Sequence, residues 1–148
     1  MLSNFKNDLK FGEKYEYLLK NHLYNIKHFE KIEGKFSDYD IKTIDNNDNI
    51  ICYEVKADKL AYKTNNIAIE YMSYNKQSGI NVTTADYWAY FIINNNKYDL
   101  YIIPTNIIKD KINDKLYKLD CVGGEFKKSR LYIFSLNLFE EYKIDTNI

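Results

Sequence analysis

Two strand-like stretches flanking five turn residues constrain this chain more than any other feature. Tyr39-Asp40-Ile41-Lys42-Thr43-Ile44 alternates as a strand does, Asp45-Asn46-Asn47-Asp48-Asn49 is a run of turn formers, and Ile50-Ile51-Cys52-Tyr53-Glu54-Val55-Lys56 alternates again. With Asn47 at the turn centre, antiparallel pairing sets Ile44 opposite Ile50 and Asp40 opposite Glu54. Side chains alternate with period two, so Lys56 shares the face of Glu54. Two carboxylates and an ammonium are therefore expected on one patch of sheet. Exposed, such a cross-strand ion pair is worth only a few tenths of a kcal/mol, about 0.2–1; a divalent cation acting on phosphate would give it a use.

With 148 residues the chain is long enough to bury a core without disulfides, and one domain spanning 1–148 is expected. One Pro and five Gly beside 45% apolar residues argue against disorder and against a linker. Cys52 and Cys121 are expected reduced and buried, and with His22 and His28 they give no zinc-ligand spacing. Lys6, Asp8 and Lys10 stand where a signal peptide would be apolar, and no apolar run approaches the ~20 residues of a membrane span. A cytoplasmic protein without a membrane partner is expected. The 21 basic and 21 acidic residues balance, which speaks against nonspecific coating of nucleic acid but not against a local groove.

Phe11, Tyr15, Leu18, Leu19, Leu23 and Ile26 recur at helical spacing and predict an amphipathic helix from about Asn4 to His28. After the hairpin, Ala57 to Asn66 reads as a polar loop, Ile67 to Met72 as a third strand, and Ser73 to Thr83 as a loop hinged at Gly79. Thr83 or Thr84 is expected to cap a helical turn over Ala85-Asp86-Tyr87. Trp88 to Ile93 and Lys97 to Ile103 predict a second hairpin around Asn94-Asn95-Asn96. Pro104-Thr105-Asn106 opens a helix to about Asn113, because Pro suits a first helical turn. Lys115 to Val122 and Leu131 to Leu136 read as further strands. The sum is an α/β fold with a mixed central β-sheet flanked by helices.

The acid-x-Lys tripeptide means little alone: Asp8-Leu9-Lys10, Glu125-Phe126-Lys127 and Glu141-Tyr142-Lys143 carry it too. Glu54-Val55-Lys56 stands apart because its hairpin partner presents an acid opposite Glu54. In this context the chain resembles the PD-(D/E)xK nuclease superfamily, whose signature is an Asp at the start of one strand and Glu-x-Lys on the next. Tyr39 replaces the Pro of the family name. Gly12-Glu13-Lys14-Tyr15-Glu16 is similar to the Gly-x-x-x-Glu of archaeal-type Holliday junction resolvases, in which the helical Glu joins the metal site. Gly12 is then expected to let the helix approach the sheet. Thr64 to Glu70, Ser78-Gly79-Ile80 and Thr84 to Trp88 resemble phage-type and viral members.

The resemblance implies a restriction-endonuclease-like core and a metal-dependent endonuclease hydrolysing DNA phosphodiester bonds. Asp40, Glu54, the Val55 carbonyl and Glu16 would hold one or two Mg²⁺ ions, for which Mn²⁺ can substitute, and Lys56 would orient or deprotonate the attacking water or neutralise the phosphate. Glu70 could reach the site from the third strand or simply face outward. Lys59, Lys63, Thr64, Asn65, Ser78, Gly79, Thr83 and Thr84 are candidate backbone contacts, and Lys127, Lys128 and the single Arg130 a second basic cluster, otherwise a solvated edge. Trp88 and most tyrosines are expected in the core. A junction resolvase would be a symmetric homodimer acting on branched DNA. The alternatives are a repair, nicking or restriction-like nuclease on linear or single-stranded DNA, and a non-catalytic domain binding nucleic acid or protein. Viral likeness and the abundance of Asn, Lys, Ile and Tyr, residues of AT-rich coding sequence, point to a phage or virus acting in its host cell.

Overall fold

The computed structural model describes residues 2–34, 38–124 and 127–146, the side chains of residues 2–9 excepted. Helix α1 (Leu2–Leu19) is followed by a 3-10 turn (Lys20–His22), strand β1 (Ile26–Lys31), and the hairpin β2 (Ile41–Asp45) and β3 (Ile50–Asp58). A four-residue helix α2 (Ala61–Thr64), β4 (Asn66–Ser73), β5 (Lys76–Gln77) and a 3-10 turn (Gly79–Asn81) lead to β6 (Tyr87–Asn94) and β7 (Lys97–Pro104). Helix α3 (Thr105–Asn113), β8 (Leu119–Gly123), β9 (Ser129–Ser135), a 3-10 segment (Leu136–Tyr142) and β10 (Lys143–Ile144) complete the chain.

The central sheet runs β1-β2-β3-β6-β7-β10 and is mixed, because β3 and β6 are parallel while the other neighbours are antiparallel. Strand β6 is buried along both faces, which is why Trp88 to Ile93 reads as a continuous apolar run with little alternation. On one face Tyr15 and Leu19 of α1 pack with Ala89, Phe91, Ile93 and Leu100. On the other, Trp88, Tyr90 and Ile103 meet Ile67, Ile69 and Phe134 of a second sheet, ordered β5-β4-β9-β8, and Ile108 of α3. The fold is a mixed α/β arrangement, its central sheet flanked by α1 on one face and by α3 with the second sheet on the other.

Several local expectations fail, among them the polar loop from Ala57 to Asn66, which instead holds the end of β3, α2 and the start of β4. The first helix ends at Leu19 and not near His28; Asn25 takes a left-handed conformation (φ 56°) and Ile26 opens β1, so His28 lies on a strand. Pairing with β2 outweighs the helical spacing of Leu23 and Ile26, which was too short a run to hold a helix on its own. No helical turn forms over Ala85-Asp86-Tyr87. The Thr83 hydroxyl instead accepts the Ala85 amide at 3.1 Å and donates to the Asp38 carbonyl at 2.8 Å, while Asp86 takes the Cys52 amide at 2.8 Å. The stretch from Ser73 to Thr83 contains β5 and a 3-10 turn, and β4 belongs to the second sheet. The α3 helix starts at Thr105, directly after Pro104. The Asp8 side chain and residues Glu125 and Phe126 lie outside the described residues.

Candidate active site

The hairpin register places Ile44 opposite Ile50 and Ile41 opposite Tyr53. Asp40 stands one residue before β2, and its amide donates to the Tyr53 carbonyl at 2.9 Å. Its carboxylate Oδ2 accepts the Val55 amide at 2.8 Å. Backbone groups two residues apart on a strand point the same way, so the Val55 carbonyl is turned toward the Asp40 side, like that of Tyr53. Strand β3 runs on past the start of β2, leaving its edge open from Val55 to Asp58, while its other edge pairs with β6, Glu54 level with Trp88 and Lys56 with Tyr90.

Glu54 and Lys56 share the face opposite α1, with Lys56 Nζ 3.1 Å from Glu54 Oε1. The Glu54 side chain is only 13% exposed. Burial pushes its pKa up, the Asp40 and Glu16 carboxylates push the same way, and Lys56 opposes them. For Lys56, burial works to lower the pKa, but the Glu54, Asp40 and Glu70 carboxylates outweigh it and the ammonium is held more firmly than usual. Acids from three elements thus act on one lysine.

Glu16 reaches this field from α1. Burial raises its pKa first and Asp40 second, while Lys31 works against both. Lys31 of β1 lies 3.3 Å from Glu16 Oε2 and 3.2 Å from Glu13 Oε1, so its ammonium bridges two acids of α1. Lys31 escapes sequence reasoning because β1 itself does; its only signal is its placement ten residues before Ile41, its partner across the strands.

Glu70 is held from two sides. Its Oε1 accepts the Ser129 hydroxyl at 2.6 Å and its Oε2 accepts the Ser78 hydroxyl at 3.1 Å. Gly79, at φ +50°, lies so close to β4 that a Cβ would stand 2.1 Å from the Glu70 carbonyl oxygen. Only glycine combines that conformation with that approach.

Gly12 plays a different part from the one expected. A Cβ there would meet nothing within 4 Å, so the missing side chain does not serve close packing. Gly12 instead lines, with Phe11, Val55, Lys56 and Lys59, a cleft of about 480 Å³. Lys59 Nζ sits 4.1 Å above the Phe11 ring. Lys63, Thr64 and Asn65 are exposed on α2 and its left-handed cap, where the Thr64 hydroxyl accepts the Asn66 amide at 3.2 Å. Ser78 and Gly79, by contrast, stand against Glu70. Exposed Thr84 donates its amide to the Asp38 carbonyl at 2.9 Å, tying the approach to Asp40 to the entry of β6.

Trp88 is fully buried, with Lys56 Nζ 5.5 Å from its ring. Arg130 is engaged with Asp120 at 3.1 Å and donates to the Tyr71 hydroxyl at 2.7 Å, whereas Lys127 and Lys128 are exposed. His22 is buried beside the Tyr98 hydroxyl at 2.6 Å. Both cysteines are free, Cys52 buried and Cys121 only half-buried on the outer strand β8. A larger hollow of about 740 Å³ opens at the opposite end of β3, lined by Ile50, Thr84, Asp86 and Asn106 and by none of the clustered acids.

Among the described residues no group of three His, Cys, Asp or Glu stands ready-made for a metal ion, and no helix is long and apolar enough to cross a membrane. Glu54 is drawn to Lys56 and Glu16 to Lys31, so the acids face one region without converging on one point. No protein-family model matches the chain, and neither a curated protein nor a solved structure is similar to it.

Proposed function

We propose that this protein is a metal-dependent nuclease hydrolysing DNA phosphodiester bonds, built on a restriction-endonuclease-like core. The observation that carries this reading is the hydrogen bond from the Val55 amide to Asp40 Oδ2, which fastens an acid beside Glu54-Val55-Lys56 on the open edge of β3. The donor set suits a hard cation: Asp40, Glu54, the Val55 carbonyl and Glu16 are all oxygen ligands. These four would hold Mg²⁺ or Mn²⁺. The bound cation would acidify a water and offset charge on the scissile phosphate.

The chain's own groups do the rest. The Asp40 carboxylate raises the proton affinity of Glu54 and of Glu16, and Glu16 adds to that of Glu54, a repulsion that a cation would relieve. Lys56, kept protonated by its acidic neighbours, neutralises a phosphate oxygen and orients the attacking water. The carboxylate of Glu70, fixed by Ser78 and Ser129, adds to the field that keeps that ammonium charged. The adjoining cleft, with Lys59 at its rim, accommodates the nucleotide next to the cut.

The test is cleavage of a labelled panel comprising a four-way junction, a flap, a linear duplex and a single strand, by wild type and Lys56→Ala, in Mg²⁺ and in EDTA. Cutting that needs Mg²⁺ and Lys56 supports the reading, and the member cut names the substrate. Folded protein that binds DNA but cuts no member in any metal would sink it in favour of a binding domain.

A further inference from the structure

We infer that the two turns at the end of the second sheet, Tyr74-Asn75-Lys76 and Lys127-Lys128, form a docking surface for a single-stranded segment of nucleic acid leaving the active site. The inference rests on the nuclease reading for the word "leaving", but the binding surface can be tested without it.

The two turns are one structure. The Tyr74 amide donates to the Lys128 carbonyl at 3.0 Å, and Ser73 pairs with Ser129 across β4 and β9. Tyr74 and Asn75 both have positive φ, 51° and 62°, so the hairpin turns tightly and holds the Tyr74 ring outward, 63% exposed. Tyr74, Lys127, Lys128 and Arg130 surround a hollow of about 320 Å³, and Lys76 is exposed beside it on β5. Asp120, the neighbouring acid on β8, is already occupied by Arg130 and the Tyr71 hydroxyl, so it does not cancel the three lysines. An exposed aromatic ring among exposed ammonium groups is the combination that stacks an unpaired base while its flanking phosphates are neutralised.

Placement gives the surface its direction. Ser129, next to Lys128, donates to Glu70 at 2.6 Å, and the Glu70 charge acts on Lys56. The surface and the candidate site are therefore joined through one carboxylate.

The experiment measures fluorescence anisotropy of a labelled oligothymidine and of a blunt hairpin duplex with wild type, Tyr74→Ala, and Lys76→Gln/Lys127→Gln/Lys128→Gln, in EDTA over a series of salt concentrations. All the substituted side chains are exposed, so the fold is unaffected, and circular dichroism checks this. Tyr74→Ala should weaken single-strand binding by about tenfold with the salt slope unchanged. The triple variant should lose about two units of salt slope, as expected for about three phosphate contacts at ~0.7 each. Wild-type affinity and slope in either variant, no binding by wild type, or an equal loss on the blunt duplex would each overturn the inference. Metal-dependent cleavage by wild type, measured separately, distinguishes failure of this surface from failure of the nuclease reading.

Discussion

The two faces of β3 obey opposite rules. Tyr53, Val55 and Ala57 lie against the core under α1, where Tyr15, Leu19, Phe91 and Leu100 close a continuous apolar layer. Glu54, Lys56 and Asp58, one residue out of step, present three charged groups to the gap between the sheets. Glu54 has Lys56 within 3.1 Å, and Asp58 Oδ2 takes the Tyr90 hydroxyl at 2.6 Å. The first face follows stability alone. The second keeps partly desolvated charges where apolar groups of similar volume would serve the fold equally well or better. That contrast is the reason the charged face is the one proposed to function.

The sharpest way to break the comparison is to neutralise the charged face. Lys56→Ala should lower metal-dependent cleavage by about 10²–10⁴-fold. The paired change Glu54→Leu/Lys56→Met should abolish cutting while leaving urea stability unchanged or raised by about 1–4 kcal/mol. A double variant that cuts normally, or one that unfolds, would mean the ion pair is structural. On the apolar face, Phe91→Ala should cost about 3–5 kcal/mol in urea unfolding, since this fully buried ring packs on Tyr15 and Tyr98.

Gly79→Ala comes next. The left-handed backbone and the approach to the Glu70 carbonyl should cost about 1–3 kcal/mol, and Glu70 should lose the Ser78 hydroxyl as the turn lifts. A fully stable variant would show that the turn has room to move. Gly12→Ala should do the reverse and stabilise the protein by about 0.5–1 kcal/mol, because the site is open and helical. Destabilisation there would restore the close-packing role that the geometry denies.

The acids give a pH signature. Glu16 and Glu54 have folded pKa values above their ordinary ones, so between the two values the folded state holds more protons than the unfolded state. Stability should therefore fall as pH rises from the ordinary glutamate range through the raised folded values, and Glu16→Gln should flatten that decline. Urea titrations from pH 4 to 8, with unchanged slopes in the variant, would remove Glu16 from the coupled set.

What was legible in the sequence was local. Five turn formers between two alternating stretches fix a register, and a strand's period of two then decides which side chains share a face; Ile44 opposite Ile50 follows from that alone. Pro104 is the last residue of β7, opposite Tyr87, and marks the switch to α3 at Thr105, because it has no amide to carry the ladder further. Strand β1 was hidden because Ile26-Lys27-His28-Phe29-Glu30-Lys31 carries charges that either period accommodates, and only β2 supplies its hydrogen bonds. With β1 went Lys31 and its ion pair with Glu16. The Glu70 clamp was equally out of reach, since Ser129 lies fifty-nine residues away in sequence.

The sequence by itself determined the hairpin, the shared face of Glu54 and Lys56, and the continuous apolar run of β6, because each follows from the repeat of the backbone. Tertiary structure alone decided that Asp40 fastens to the Val55 amide, that Glu16 answers to Lys31, that Gly12 lines a cleft, and that Ser78 and Ser129 hold Glu70 where its charge acts on Lys56. Those outcomes depend on which elements meet across long stretches of chain and on what burial does to the charges between them, and neither is written in any local pattern of residues.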